Sequence, residues 1–222
     1  MSKLVIFDVD GTLVDSQAHI VASMTAAFDS VALPQPERQA VLSIIGLSLP
    51  YAMKELAPMA DDQTVAQMVE VYKSDFSANR LRSDAMPPLY DGAEAAIAAL
   101  ASRGDMMLAI ATGKSRRGLD ALLESWPFAD VFATTHCADD HPSKPHPSMV
   151  QACLTDCDAQ AADAVVVGDT TYDMEMAKAA RCASIGVSWG YHGVRALTTT
   201  GAAAIVTDFS QLETTLDTIW KD

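Results

Sequence analysis

The sequence predicts an α/β fold, a doubly wound parallel sheet with a small all-helical insert. Three features of the 222-residue chain predict it. Short apolar runs recur, as in strands buried on both faces. Segments of helical periodicity alternate with those runs. One long stretch near the N-terminus has helical periodicity and no strand.

The first run, Leu4-Val5-Ile6-Phe7, opens the sheet. Met106 to Ala111, Ala164 to Val167, Ser184 to Ser188 and Ala204 to Val206 read as further strands, with a weaker one near Val131-Phe132. Helical patterns fill the gaps at Gly92 to Ser102, Ser115 to Ser125, His146 to Thr155, Thr171 to Ala180 and Phe209 to Trp220. Such alternation places ligands at the carboxyl ends of the strands. From about Gln17 to Ala85 the apolar residues recur at helical spacing instead: Ile20, Met24, Ala27, Phe28, then Val65, Met68, Val69, Tyr72. Met86-Pro87-Pro88 stiffens the chain and suits a hinge back into the sheet. The expected division is 1–16 and 86–222 for the α/β core and 17–85 for the helical insert.

Half of the residues are apolar, yet no run approaches the roughly 20 residues that a membrane-spanning helix needs. Met1-Ser2-Lys3 leads into an apolar segment too short for a signal peptide, so the expected location is the cytoplasm. Cys137, Cys153, Cys157 and Cys182 have no CxxC spacing and are expected as free thiols. A net charge of −14 argues against nucleic acid and anionic membranes as partners, both of which require clustered cations. An anionic substrate remains possible where a Lys, a metal or helix N-termini supply local positive charge. A monomer or small homo-oligomer is expected.

Four strand ends carry chemistry. After the first strand comes Asp8-Val9-Asp10-Gly11-Thr12-Leu13-Val14-Asp15, whose carboxylates at i and i+2 share one edge of the sheet and repel unless a cation intervenes. After the second comes Thr112-Gly113-Lys114-Ser115, where a hydroxyl and backbone N–H groups at a helix start can hold an anion, or simply cap the helix. Ser143-Lys144-Pro145-His146-Pro147 places one Lys between prolines ahead of a helix. Gly168-Asp169-Thr170-Thr171-Tyr172-Asp173 sets two acids at a further strand end, where they could equally be an N-cap and a first-turn acid. His136, Cys137, His141 and His146 cluster nearby, but their spacing matches no common structural zinc site.

Together these segments resemble the four motifs of the haloacid dehalogenase superfamily in its phosphatase form, in the right chain order. The resemblance implies Asp8 as nucleophile and Asp10 as general acid, then general base. Thr112 and Gly113 would hold the phosphoryl group, and Lys144 would neutralise both that group and Asp8. It also implies Mg²⁺ bound by Asp8, the Asp10 carbonyl, Asp169 and waters partly held by Asp173. Oxygen-only donors suit that ion, and a single Lys144 cannot balance so many carboxylates. The insert is similar to the cap of relatives such as phosphoglycolate phosphatases and β-phosphoglucomutases, so a small phosphorylated metabolite is the expected partner. Ser48, Tyr51 and Lys54 are candidate cap contacts, with plain helix-surface roles as the default. Arg181 stands where relatives often carry Gly. A phosphomutase, or a binding protein with lapsed chemistry, are the alternatives; the dehalogenase branch lacks a second acid such as Asp10.

Overall fold

The computed structural model describes residues 2–83 and 86–221. Six parallel strands form one sheet: β1 (Lys3–Phe7), β2 (Met106–Thr112), β3 (Phe132–Cys137), β4 (Ala164–Gly168), β5 (Ala183–Val187) and β6 (Ala204–Val206). Their order is β3-β2-β1-β4-β5-β6. The direction of winding reverses between β1 and β4, the position at which doubly wound sheets open a crevice for ligands. The register pairs Phe7 with Ile110 on one side and with Val167 on the other, which brings the carboxyl ends of the three central strands level.

Strand geometry sends alternate side chains to opposite faces. In β1, Val5 and Phe7 enter one apolar cluster, while Leu4 and Ile6 enter the other. The first cluster receives Ile97 and Leu100 of α5 (Ala93–Ala101), Leu119 and Leu122 of α6 (Arg116–Ser125) and Leu216 of α10 (Leu212–Ile219). The second receives Met149, Val150 and Cys153 of α7 (Ser148–Asp156) with Met176 and Ala177 of α8 (Thr171–Ala179). The sheet is thus covered on both sides, and the four cysteines are buried free thiols.

Two elements depart from the sequence reading. The weak strand expected near Val131-Phe132 begins at Phe132 and runs on to Cys137. It lies at the sheet edge, half-exposed, so Thr134, Thr135 and His136 replace the apolar run that marks a central strand. A helix α9 (Val194–Thr200) lies between β5 and β6, anchored by buried Leu197 alone and carrying three threonines that hide its periodicity.

The segment from residue 17 folds into α1 (Gln17–Asp29), α2 (Arg38–Ser43), α3 (Leu49–Leu56) and α4 (Asp62–Ser83). All eight apolar positions read from the helical spacing lie in its own hydrophobic cluster, from Ile20 to Tyr72. The chain leaves and rejoins the core side by side. Asp15 N–H donates to the Pro88 carbonyl at 2.9 Å, and Tyr90 N–H donates to the Leu13 carbonyl at 2.9 Å. The expected segment end, Ala85, lies outside the described residues. No helix among the described residues is long and apolar enough to cross a membrane.

Candidate active site

Asp8 follows β1 directly, and its N–H still donates to the Val167 carbonyl at 2.9 Å, so the sheet fixes its backbone. The turn beyond it folds back on Val9, whose carbonyl accepts from Leu13 and Val14 N–H at 2.9 and 3.0 Å. Gly11 makes that turn possible. Its φ is +84°, and a Cβ there would lie 2.3 Å from Asp169 Oδ2. The first and fourth strand ends therefore meet across a glycine.

Asp169 is fixed by two donors, Thr12 Oγ1 at 3.1 Å and Tyr191 N–H at 2.8 Å. It is not the cap of α8. Thr170 is the N-cap, and Asp173 completes a capping box by accepting from Thr170 N–H and Oγ1 at 3.0 and 2.7 Å. The other Asp173 oxygen accepts from Lys144 Nζ at 2.7 Å. Lys144 Nζ also lies 2.7 Å from Asp8 Oδ1, so one buried ammonium pairs with both carboxylates. The ligand oxygens of Asp8, Asp169 and Asp173 lie within 4.8 Å of one another.

Such a cluster fits a cation. The three buried carboxylates of Asp8, Asp169 and Asp173 face the buried ammonium of Lys144, which leaves negative charge uncompensated. All the donors are oxygen, which favours hard divalent ions.

Thr112 ends β2 and is buried, its Oγ1 accepting from Lys114 N–H at 3.2 Å. The helix cap falls to Ser115, which accepts from Gly118 N–H at 3.3 Å, so Thr112 is not needed for capping. Gly113 touches the helical segment, because a Cβ on it would stand 2.4 Å from the Gly46 carbonyl oxygen. Ser48 N–H, in the same loop of that segment, donates to Ser143 Oγ at 2.9 Å. A cavity of about 490 Å³ opens between the two parts, with Asp8, Asp10, Thr112, Gly113 and Lys114 on the core side and α1 and α4 opposite.

The description "haloacid dehalogenase-like hydrolase" belongs to a family model that matches residues 5–187. The chain belongs to the haloacid dehalogenase-like hydrolases. A probable phosphatase, IndB of Dickeya dadantii, is 37% identical over 216 residues, covering 96% of this chain and 92% of the relative. A phosphoglycolate phosphatase of Haemophilus influenzae is 27% identical, with 96% and 98% covered. A hydrolase from Pseudomonas syringae of known structure superposes with a TM-score of 0.85 at 23% identity, over 98% and 99% of the two chains, and bears on the fold alone. The chain is a hydrolase of phosphatase type.

In this haloacid dehalogenase-like hydrolase the electrostatics follow from burial. Burial, opposed by Lys144 and helped by Asp173 and Asp10, pushes the Asp8 carboxyl up to about 6. Burial raises Asp169 as well, with Asp173 and Asp8 adding to the rise. Burial works against the charge of Lys144, but Asp173 and Asp8 outweigh it and raise its pKa.

The residues read from the sequence divide into two sets. Asp8, Asp10, Thr112 and Gly113 face the cavity, whereas Lys144, Asp169 and Asp173 are sealed behind Asp8 and do not line it. Of the cap candidates, Tyr51 is 64% exposed, Lys54 pairs loosely with Asp62, and none of Ser48, Tyr51 and Lys54 lines the cavity.

Lys114 was not singled out by the sequence reading. Its Nζ lies 2.8 Å from both oxygens of Asp10 and 4.9 Å from the Phe76 ring centre. The clue was a second lysine beside Thr112 at a strand end crowded with acids. His136 and His141 form a separate hydrogen-bonded chain, from Asp156 through both rings to Ser148, at 3.0, 3.0 and 2.8 Å.

Proposed function

We propose that this hydrolase releases inorganic phosphate from a small phosphorylated metabolite through an aspartyl-phosphate on Asp8, with Mg²⁺ as cofactor. The supporting observation is the meeting of Asp8, Asp169 and Asp173 within 4.8 Å, with Asp8 also facing the cavity that Asp10 and Thr112 share. Asp8 attacks phosphorus, and the bond to the leaving oxygen breaks. Asp10 gives that oxygen a proton. Asp10 then takes a proton from water, which attacks the phosphoryl group and frees Asp8. Thr112 Oγ1 and the Gly113 N–H hold the phosphoryl oxygens, and Lys144 orients Asp8 from behind. Bound by Asp8, Asp169 and the Asp10 carbonyl, with Asp173 behind, Mg²⁺ would supply positive charge to offset the negative charge on the phosphoryl oxygens.

Residues 17–85 act as a cap that closes over the site and excludes water. Four buried free thiols suit the reducing cytoplasm. The test is phosphate release from para-nitrophenyl phosphate. Asp8→Asn is expected to abolish it while the fold persists, and chelation is expected to stop it until Mg²⁺ is restored. Undiminished activity in Asp8→Asn would remove the nucleophile from its role.

A further inference from the structure

Lys114 has no part in the mechanism above, yet its side chain is held along its whole length. Its carbonyl accepts from Ala138 N–H at 3.2 Å, which ties its backbone to the loop after β3. Its stem runs past Gly118, where a Cβ would stand 3.0 Å from Lys114 Cγ. Gly118 lies within α6, where glycine costs about 1 kcal/mol relative to alanine, and the room it leaves for the lysine stem is a packing reason for that choice. At the far end Nζ lies 2.8 Å from each Asp10 oxygen, and the Phe76 ring of α4 covers it from the helical segment. The side chains of Lys114 and Asp10 are only 8% and 14% exposed, so water and salt screen this pair little.

Asp10 needs such a partner. Its charge and that of Asp8 act on one another, and the repulsion turns Asp10 away unless a cation holds it. Among the described residues no other donor reaches the Asp10 carboxylate, and Lys144 is committed to Asp8 and Asp173. A contact with both oxygens fixes the plane of the carboxylate, which a contact with one does not. It also leaves the chemistry free. A carboxylate offers about four lone-pair sites, and Lys114 takes one on each oxygen.

From this we infer that Lys114 is a positioning residue for proton transfer in this hydrolase: it aims the Asp10 carboxyl at the leaving oxygen, and Phe76 holds the ammonium in that pose. The proton passes from Asp10 to the leaving oxygen as the bond to phosphorus breaks, and Lys114 keeps its own protons throughout. The inference rests on the reading of Asp10 as the acid given above.

The test compares an ester that needs a proton on its leaving oxygen with one that does not. Ethyl phosphate must release a protonated alcohol, whereas para-nitrophenolate departs unprotonated. With Mg²⁺ present, kcat/KM reports the step that frees the leaving group. Lys114→Met is expected to lower kcat/KM for ethyl phosphate about a hundredfold, the scale of a misplaced catalytic group. For para-nitrophenyl phosphate the loss should stay under about tenfold, since acid catalysis contributes little there. The ethyl phosphate loss should fall on kcat more than on KM. Lys114→Arg, whose fork also reaches two carboxylate oxygens, is expected to recover part of it, and Phe76→Ala to cost only a few-fold. Should Lys114→Met fail to fold, the same comparison in those two variants decides, because their smaller losses must also be greater for ethyl phosphate. Equal effects on the two esters, or a loss carried by KM, overturn the inference. Wild-type turnover confined to the aryl ester overturns it as well, since Asp10 then delivers no proton for Lys114 to direct. Release of phosphate from neither ester by the wild type overturns the phosphatase reading instead.

Discussion

Lys144 and Asp173 form an ion pair at 2.7 Å in which neither side chain has any solvent exposure. Each depends on the other. Asp173 also holds the first turn of α8, and Lys144 also faces Asp8, so the pair ties a helix start to the proposed nucleophile. Removing one member of a buried pair leaves the other uncompensated.

Lys144→Met should therefore destabilise the protein by about 3–5 kcal/mol, because Asp8, Asp169 and Asp173 then share no buried cation. Thermal unfolding with Mg²⁺ and with EDTA would measure it. The loss should be larger in EDTA, where nothing else offsets the three carboxylates. A variant that melts with the wild type in both buffers would contradict the account of the site.

Much of this was legible in the sequence. Asp8, Thr112 and Asp169 sit at or directly after the ends of buried strands, and buried strands announce themselves as apolar runs. Lys114 was harder to assign, because its partners Asp10 and Phe76 are brought to it by two different parts of the chain. The role of Lys144 beside Asp8 came from the family resemblance and not from the residues themselves. A loop lysine reads as solvated until the packing around it is known.

Asp8 should also show itself in the pH dependence of stability. Its carboxyl is raised from 3.8 to about 6 in the fold, so the folded state holds its proton more tightly than the unfolded chain does. The stabilisation this gives is complete below 3.8 and is lost as pH rises through about 6. Measured in EDTA, the melting temperature of wild type minus that of Asp8→Asn should fall across that window and then level off. Mg²⁺ should restore the wild type most at neutral pH. A flat difference would show that Asp8 is not buried as described.

Gly113→Ala should harm activity more than stability. The new Cβ would stand 2.4 Å from the Gly46 carbonyl oxygen, a backbone atom that cannot rotate away. Overpacking of this kind costs about 1–3 kcal/mol. A loop displaced by about 1 Å beside reacting groups can lower kcat/KM roughly a hundredfold. Gly104→Ala is the control, since a Cβ there meets nothing within 4 Å. Activity of Gly113→Ala equal to that of the control would show that this contact does not position the site.

Arg181→Gly should stabilise. Arg181 adopts φ +63° just beyond α8, and the chain closes the helix with Cys182 N–H donating to the Ala177 carbonyl at 2.9 Å. Glycine takes that conformation without the steric strain of a side chain, and the expected gain is about 1 kcal/mol, or roughly 2–4 °C in Tm. Phosphatase activity should not change, because Arg181 is exposed and does not line the cavity. A lower Tm would mean that the exposed arginine contributes more than its backbone strain removes.

The paired passages at Asp15 and Pro88 give the sheet an independence from what it carries. Since both strands of the connection are stitched together at the point of departure, a different set of helices could be grafted between them without shifting β1 against β2. Under the proposed function, exchanging that one module would change substrate choice while the carboxylate cluster keeps its register.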